Sequence, residues 1–214
     1  MHTTHISISQ KARVVTLGEQ SNQVERIWLV LHGYGQLSKY FILKFESIAV
    51  DNTLVVAPEG LNRFYLNGFS GRVGATWMTK EDRLTDIENN HHYLSAVFEE
   101  YKSKFPKAKF GVIAFSQGAA TAVRWYCHAQ PQIQQLIVWS GSFPEDLNWF
   151  EDVKKLNNVP LTFILGNRDE FIDETKLAAQ SQFLKDKGLK FNLVRFDGGH
   201  DIDQITLSEV NHLL

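Results

Sequence analysis

Apolar residues in the 214-residue chain gather in short runs, and the longer segments between them are amphipathic. Six runs have strand character, at residues 26–31, 53–57, 110–115, 135–140, 160–165 and 190–196. Arg26-Ile27-Trp28-Leu29-Val30-Leu31 is apolar almost throughout, as expected of a strand covered on both faces. Helical spacing of apolar residues predicts helices over residues 38–50, 81–104, 147–156, 175–187 and 203–214, and from Ala119 onward. Strands alternating with helices predict an α/β architecture, a mostly parallel sheet with helices on both faces. Residues 5–10 and 11–17 alternate apolar and polar, which predicts two short antiparallel strands at a sheet edge. Residues 61–79 are rich in glycine and aromatic side chains and read as a loop.

The run at 110–115 leads directly into Phe115-Ser116-Gln117-Gly118 and then a helical stretch. A serine on a sharp strand-to-helix turn is the nucleophile elbow of the α/β-hydrolase fold. The strained backbone there holds the hydroxyl clear of the sheet. Strand and helix pack closely around it, so the positions two before and two after the serine must be small; they are Ala114 and Gly118. Taken alone the pattern is weak, because serine is also a favoured helix N-cap.

Two further strand ends carry matching chemistry. Asp169 follows the run at 160–165, and His200 follows the run at 190–196 behind Gly198-Gly199. Ser116, Asp169 and His200 stand in the order that α/β hydrolases use, and in a parallel sheet all would meet at one edge. The expected roles are nucleophile for Ser116, general base for His200, and orienting carboxylate for Asp169. Asp173, Asp197 and Asp201 compete for the last role, and Asp169 could instead cap the following helix. Asp197 and Asp201 lie very close to His200 in sequence and are less suited. The run at 26–31 ends at His32-Gly33-Tyr34-Gly35-Gln36, where the glycines permit a tight turn. The backbone N–H groups of Tyr34 and Gln117 are the candidate oxyanion hole. An ordinary turn is the alternative; a phosphate loop is disfavoured, since no Gly-Lys-Ser/Thr follows. His32 is expected to prop this loop by hydrogen bonding.

Composition narrows the classes. A net charge of -2 without a basic cluster gives no electrostatic footprint for nucleic acid. One cysteine, Cys127, excludes a disulfide framework and a zinc ribbon, and reads as a small buried helix residue. The polar start Met1-His2-Thr3-Thr4-His5 lacks signal-peptide order, and no apolar run is long enough to span a bilayer. A soluble cytoplasmic protein is therefore the expectation, folded as one domain over residues 1–214, without stable membrane insertion. His91 and His92 are adjacent; they point to different helix faces, which is not metal-ligand spacing, and a solvated face is expected.

Taken together, Leu31-His32-Gly33-Tyr34-Gly35, Ala57-Pro58-Glu59-Gly60, Phe115-Ser116-Gln117-Gly118, Gly166-Asn167-Arg168-Asp169 and Gly199-His200-Asp201-Ile202 resemble the phospholipase/carboxylesterase family of small α/β hydrolases. That family includes acyl-protein thioesterases and bacterial carboxylesterases. The resemblance implies ester or thioester hydrolysis of a small-molecule ester without metal or cofactor, and in many members a homodimer. Three departures stand out. Trp77-Met78-Thr79 replaces the family's Trp-aromatic-Asp, Glu170-Phe171-Ile172 stands where a Val-Pro pair often follows the acid, and Ala114 replaces the first elbow glycine. Candidate walls of an acyl pocket are Trp77, Met78, Phe143 and Phe171. The short insert before residue 160 predicts no separate cap domain and an open site. Short- to medium-chain carboxylic esters are the expected substrates, with lysophospholipase or acyl-protein thioesterase activity as an alternative. From another class, a binding protein on a hydrolase fold stays open.

Overall fold

The computed structural model describes residues 2–214. Among the described residues nine strands occur, in the order β1 (Val14–Leu17), β2 (Arg26–Leu31), β3 (Thr53–Pro58), β4 (Asn62–Tyr65), β5 (Val73–Thr76), β6 (Lys109–Phe115), β7 (Gln135–Trp139), β8 (Leu161–Gly166) and β9 (Asn192–Phe196). Seven form one sheet in the spatial order β1-β3-β2-β6-β7-β8-β9, and β4–β5 form a separate antiparallel hairpin. Only β1 runs antiparallel in the large sheet, pairing Val14 with Pro58 and Leu17 with Val55. The helices are α1 (Ser38–Phe41), continued by a 3-10 turn over Ile42–Ile48, then α2 (Arg83–Lys104), α3 (Gln117–Ala129), α4 (Trp149–Leu156), α5 (Glu174–Asp186) and α6 (Gln204–Asn211). This is the α/β-hydrolase fold.

Alternate strand residues supply the two faces. Ile27, Leu29 and Leu31 of β2, with Phe110, Val112 and Ala114 of β6, face the core shared with α2, α3, α4 and α5. Trp28 and Val30, with Ile113 and Phe115, face the core shared with α1, the 3-10 turn and α6. A strand buried on both faces has no reason to alternate, which is why these strands read as continuous apolar runs. Gly111 lies directly across from Trp28 in the parallel β2–β6 pairing. A Cβ on Gly111 would stand 2.3 Å from Trp28 Cζ3, so the glycine makes room for the indole.

Three expectations need correction. Residues 5–10 form no strand; Ile6 and Ile8 are each 81% exposed, and no strand lies beside them to pair with. Residues 38–50 form one turn of α-helix followed by a 3-10 turn rather than a continuous helix. Residues 61–79 are not simply loop: they hold the β4–β5 hairpin, with Asn62 opposite Thr76 and Tyr65 opposite Val73. That hairpin is joined to the loop after β2, since Gly35 N–H donates to Ala75 O at 2.8 Å and Ala75 N–H donates to Gln36 O at 3.2 Å. Among the described residues no helix is long and apolar enough to cross a membrane.

Candidate active site

Ser116 sits between β6 and α3 at φ 54 and ψ −117, a backbone conformation that L-residues rarely adopt. Packing enforces it. A Cβ on Gly118 would stand 2.6 Å from Leu31 O and 2.7 Å from His32 O. A Cβ on Gly141 would stand 2.3 Å from the Ala119 methyl and 2.7 Å from Ser116 O. The turn is thus held between the ends of β2 and β7, and Ser116 N–H donates to Trp139 O at 2.9 Å. Ala114 is fully buried in the core beneath α3 and is accommodated there.

The serine hydroxyl does not cap α3. Its Oγ lies 3.0 Å from His200 Nε2. His200 Nδ1 lies 2.8 Å from Asp169 Oδ2. A carboxylate only accepts, so Nδ1 carries the proton and Nε2 presents its lone pair to the serine O–H. The other carboxylate oxygen, Asp169 Oδ1, accepts the Phe171 N–H at 2.9 Å and the Ile172 N–H at 3.1 Å. Burial would raise the Asp169 pKa, but the bond from His200, the two N–H donors and the His200 charge outweigh it, and the net shift is downward. The carboxylate is therefore held ionised.

The competing carboxylates are engaged elsewhere. Asp173 caps α5 by accepting Lys176 N–H at 2.8 Å. Asp197 pairs with Arg168. Asp201 accepts Lys44 Nζ at 2.6 Å. What brings Asp169 to His200 is close backbone packing of the loops after β8 and β9. Arg168 N–H donates to Gly198 O at 2.9 Å, and a Cβ on Gly166 would stand 2.3 Å from Gly198 O. Trp139 Nε1 donates to Asp201 O at 3.0 Å and ties the His200 loop to β7. Phe115 and Phe171 pack on the imidazole with centroids at 4.8 and 4.6 Å.

The loop after β2 lies against the serine: a Cβ on Gly33 would be 3.1 Å from Ser116 Cβ. Neither Tyr34 N–H nor Gln117 N–H meets an acceptor among the described residues. His32 is fully buried. Its Nε2 accepts Gly60 N–H at 2.9 Å and its Nδ1 lies 2.8 Å from Gly33 O. That pattern requires a neutral ring protonated on Nδ1. Burial lowers the His32 pKa, against smaller opposing effects from the Gly33 carbonyl and Glu59. His32 thus braces the loop, as its position after β2 suggests.

Sequence reasoning missed several supports. Gln36 Oε1 accepts Gly33 N–H at 2.8 Å. Glu59 is buried at the end of β3 and accepts Ser38 N–H at 3.2 Å, Ser38 Oγ at 3.1 Å and Arg63 Nε at 2.7 Å. Burial pushes the Glu59 pKa up, but these bonds and the charges of Arg13 and Arg63 bring it down overall. A carboxylate placed directly after a buried strand, in Pro58-Glu59-Gly60, was the available signal.

The expected pocket residues separate. Phe171 and Gln117 line a cleft of about 280 Å³ at Ser116, with Ala120, Gly141, Ile172 and His200. Trp77 does not line it: the ring is 1% exposed, stacks on His32 at 4.9 Å, and donates from Nε1 to His32 O at 2.8 Å. Phe143 is likewise buried, packing edge-on against Phe163. Met78 borders a small gap beside Asn90, His91 and Arg124. Trp77 directly follows β5 and Phe143 lies in the loop after β7, and both side chains turn into the core instead of the cleft. Outside the site, Cys127 is buried, as read from sequence. His91 is not on a solvated face: it stacks on His128 of α3 at 4.3 Å, with Nε2 buried and unpartnered among the described residues. His92 is exposed.

The phospholipase/carboxylesterase profile matches residues 12–214. The chain belongs to the phospholipase/carboxylesterase family. It is an esterase-type hydrolase family. Acyl-protein thioesterase 2 of Zea mays superposes with a TM-score of 0.69 at 20% identity, covering 94% of this chain and 97% of that one. Esterase PE8 gives 0.70 at 23% identity, covering 95% and 97%. A phospholipase/carboxylesterase from Dyadobacter fermentans DSM 18053 gives 0.66 at 17%, covering 96% and 97%. No curated protein matches significantly by sequence.

Proposed function

We propose that the chain is a serine hydrolase that cleaves carboxylic esters of short to medium acyl chain, with thioesters also within its chemistry, through an acyl-enzyme on Ser116. The observation that carries this reading is the continuous relay from Ser116 Oγ to His200 Nε2 at 3.0 Å and from His200 Nδ1 to Asp169 Oδ2 at 2.8 Å. His200 takes the serine proton as Oγ attacks the acyl carbon, then delivers it to the departing alcohol or thiol. Asp169 holds the reactive tautomer and stabilises the imidazolium. The N–H groups of Tyr34 and Gln117 receive the oxyanion, each donor contributing roughly 3–4 kcal/mol to lowering the barrier. Water, activated by the same histidine, then releases the acid.

A modest acyl group fits the cleft of about 280 Å³, which is small beside common ligand cavities. A fluorophosphonate probe tests the assignment. Stoichiometric labelling of folded protein at Ser116, mapped by peptide mass spectrometry, is the expected result. Absence of labelling would favour a binding protein on this fold.

A further inference from the structure

A larger cavity lies elsewhere. A groove of about 620 Å³ runs between α1 and the β4–β5 hairpin, with Gly35, Gln36, Tyr40, Lys39, Lys44 and Arg72 on its walls. Three cations line it and no carboxylate does. Lys44 is bonded to Asp201 at 2.6 Å. Lys39 rests its Nζ 4.6 Å over the Tyr40 ring. Neither Lys39 nor Arg72 has an ion-pair partner among the described residues. Asp201 neutralises Lys44, which leaves Lys39 and Arg72, two exposed cations, at a concavity whose lining holds no carboxylate, a local positive field suited to an anion.

The groove is tied to the reacting centre. In the sheet, β6 with Ser116 stands between β2 on one side and β7 and β8 on the other. The cleft is lined by Gly141 after β7 and by Phe171 and Ile172 after β8; the groove is lined by Gly35 to Leu37, after β2. Its wall at Gly35–Gln36 continues directly from Tyr34 and is hydrogen-bonded to Ala75 of the hairpin. Its Lys44 holds Asp201, the neighbour of His200. We propose that the groove binds an anionic group, phosphate or carboxylate, carried on the alcohol half of the substrate. This inference rests on the hydrolase reading of Ser116.

The test compares kcat/KM for butyryl-glycerol 3-phosphate and the butyryl ester of glycolic acid with that for neutral butyrylglycerol, at low ionic strength. Wild type, a Lys39→Gln/Arg72→Gln double variant and a remote Lys107→Gln control are measured together. Wild type should prefer anionic esters by about tenfold, mainly through KM. The double variant should lose that preference, the control should keep it, and added salt should weaken it. Preference for the phosphate ester alone identifies phosphate as the ligand group; preference for both identifies anions generally. Equal kcat/KM for charged and neutral esters, or a preference surviving both substitutions, overturns the proposal. If no ester is hydrolysed, the hydrolase reading has failed, and calorimetric titration of butyryl-glycerol 3-phosphate into Ser116→Ala decides the groove separately. Saturable binding weakened by the two substitutions supports it, and no binding overturns it.

Discussion

His32 Nε2 accepts the Gly60 N–H across 2.9 Å, joining the loop that follows β2 to the loop that follows β3. With Nδ1 on Gly33 O and the Trp77 indole on its own carbonyl, the ring fixes the turn that presents Tyr34. Replacing His32 by Ala leaves the buried Gly60 N–H unpaired, a cost of about 1–3 kcal/mol. Denaturant unfolding should show that loss. Ester kinetics should show a larger fall in kcat than rise in KM, because a loosened oxyanion donor acts in the transition state.

Asp169→Asn should keep the fold but lower kcat by roughly 10⁴-fold, since an amide no longer enforces the reactive tautomer of His200. Circular dichroism and ester kinetics on the same preparation check both halves. Asp169 has its pKa depressed in the fold, so its contribution to stability is present above the unfolded carboxyl value. That contribution is lost as pH drops through the lower native value.

Gly141→Ala tests the packing that holds the elbow. The new methyl would lie 2.3 Å from the Ala119 Cβ and 2.7 Å from Ser116 O. We expect destabilisation of about 1–3 kcal/mol, together with loss of ester hydrolysis as Ser116 is displaced from His200. Thermal unfolding and activity measured side by side would show it.

His91 predicts a second pH effect, on stability alone. Burial, then the charges of His128, Arg124 and His92, push its pKa down from 6.5 to about 4. The unfolded chain therefore binds a proton that the folded chain refuses. The stability held above pH 6.5 should be lost progressively down to about 4. Urea midpoints at pH 7 and pH 5 should differ less in His91→Phe than in wild type.

The inner strands of the large sheet were legible because burial on both faces leaves mostly apolar residues, as in Ile27 to Leu31. Ser116 was read as a candidate because it directly follows β6, and Asp169 and His200 because they stand in the short loops after β8 and β9. The β4–β5 hairpin was hidden: Asn62, Arg63 and Tyr65 are exposed and Phe64 half-buried, while β5 is Val-Gly-Ala-Thr, so neither strand alternates. Ile6 and Ile8 misled in the other direction, since alternation is satisfied by a segment that meets no neighbouring strand. Trp77 was misplaced because an aromatic residue in a glycine-rich stretch looks like a pocket wall. Its partner, the carbonyl of His32, is 45 residues away and invisible to local pattern. His91 was misread for the same reason, its covering ring being His128 on the next helix.

The central claim is that Ser116 is the nucleophile activated by His200. The most direct measurement is hydrolysis of p-nitrophenyl esters from acetyl to long acyl by wild type and Ser116→Ala in parallel. The account predicts turnover by wild type with an optimum at short to medium chains, and a loss of about 10³-fold or more in the variant. Turnover retained by Ser116→Ala would contradict it.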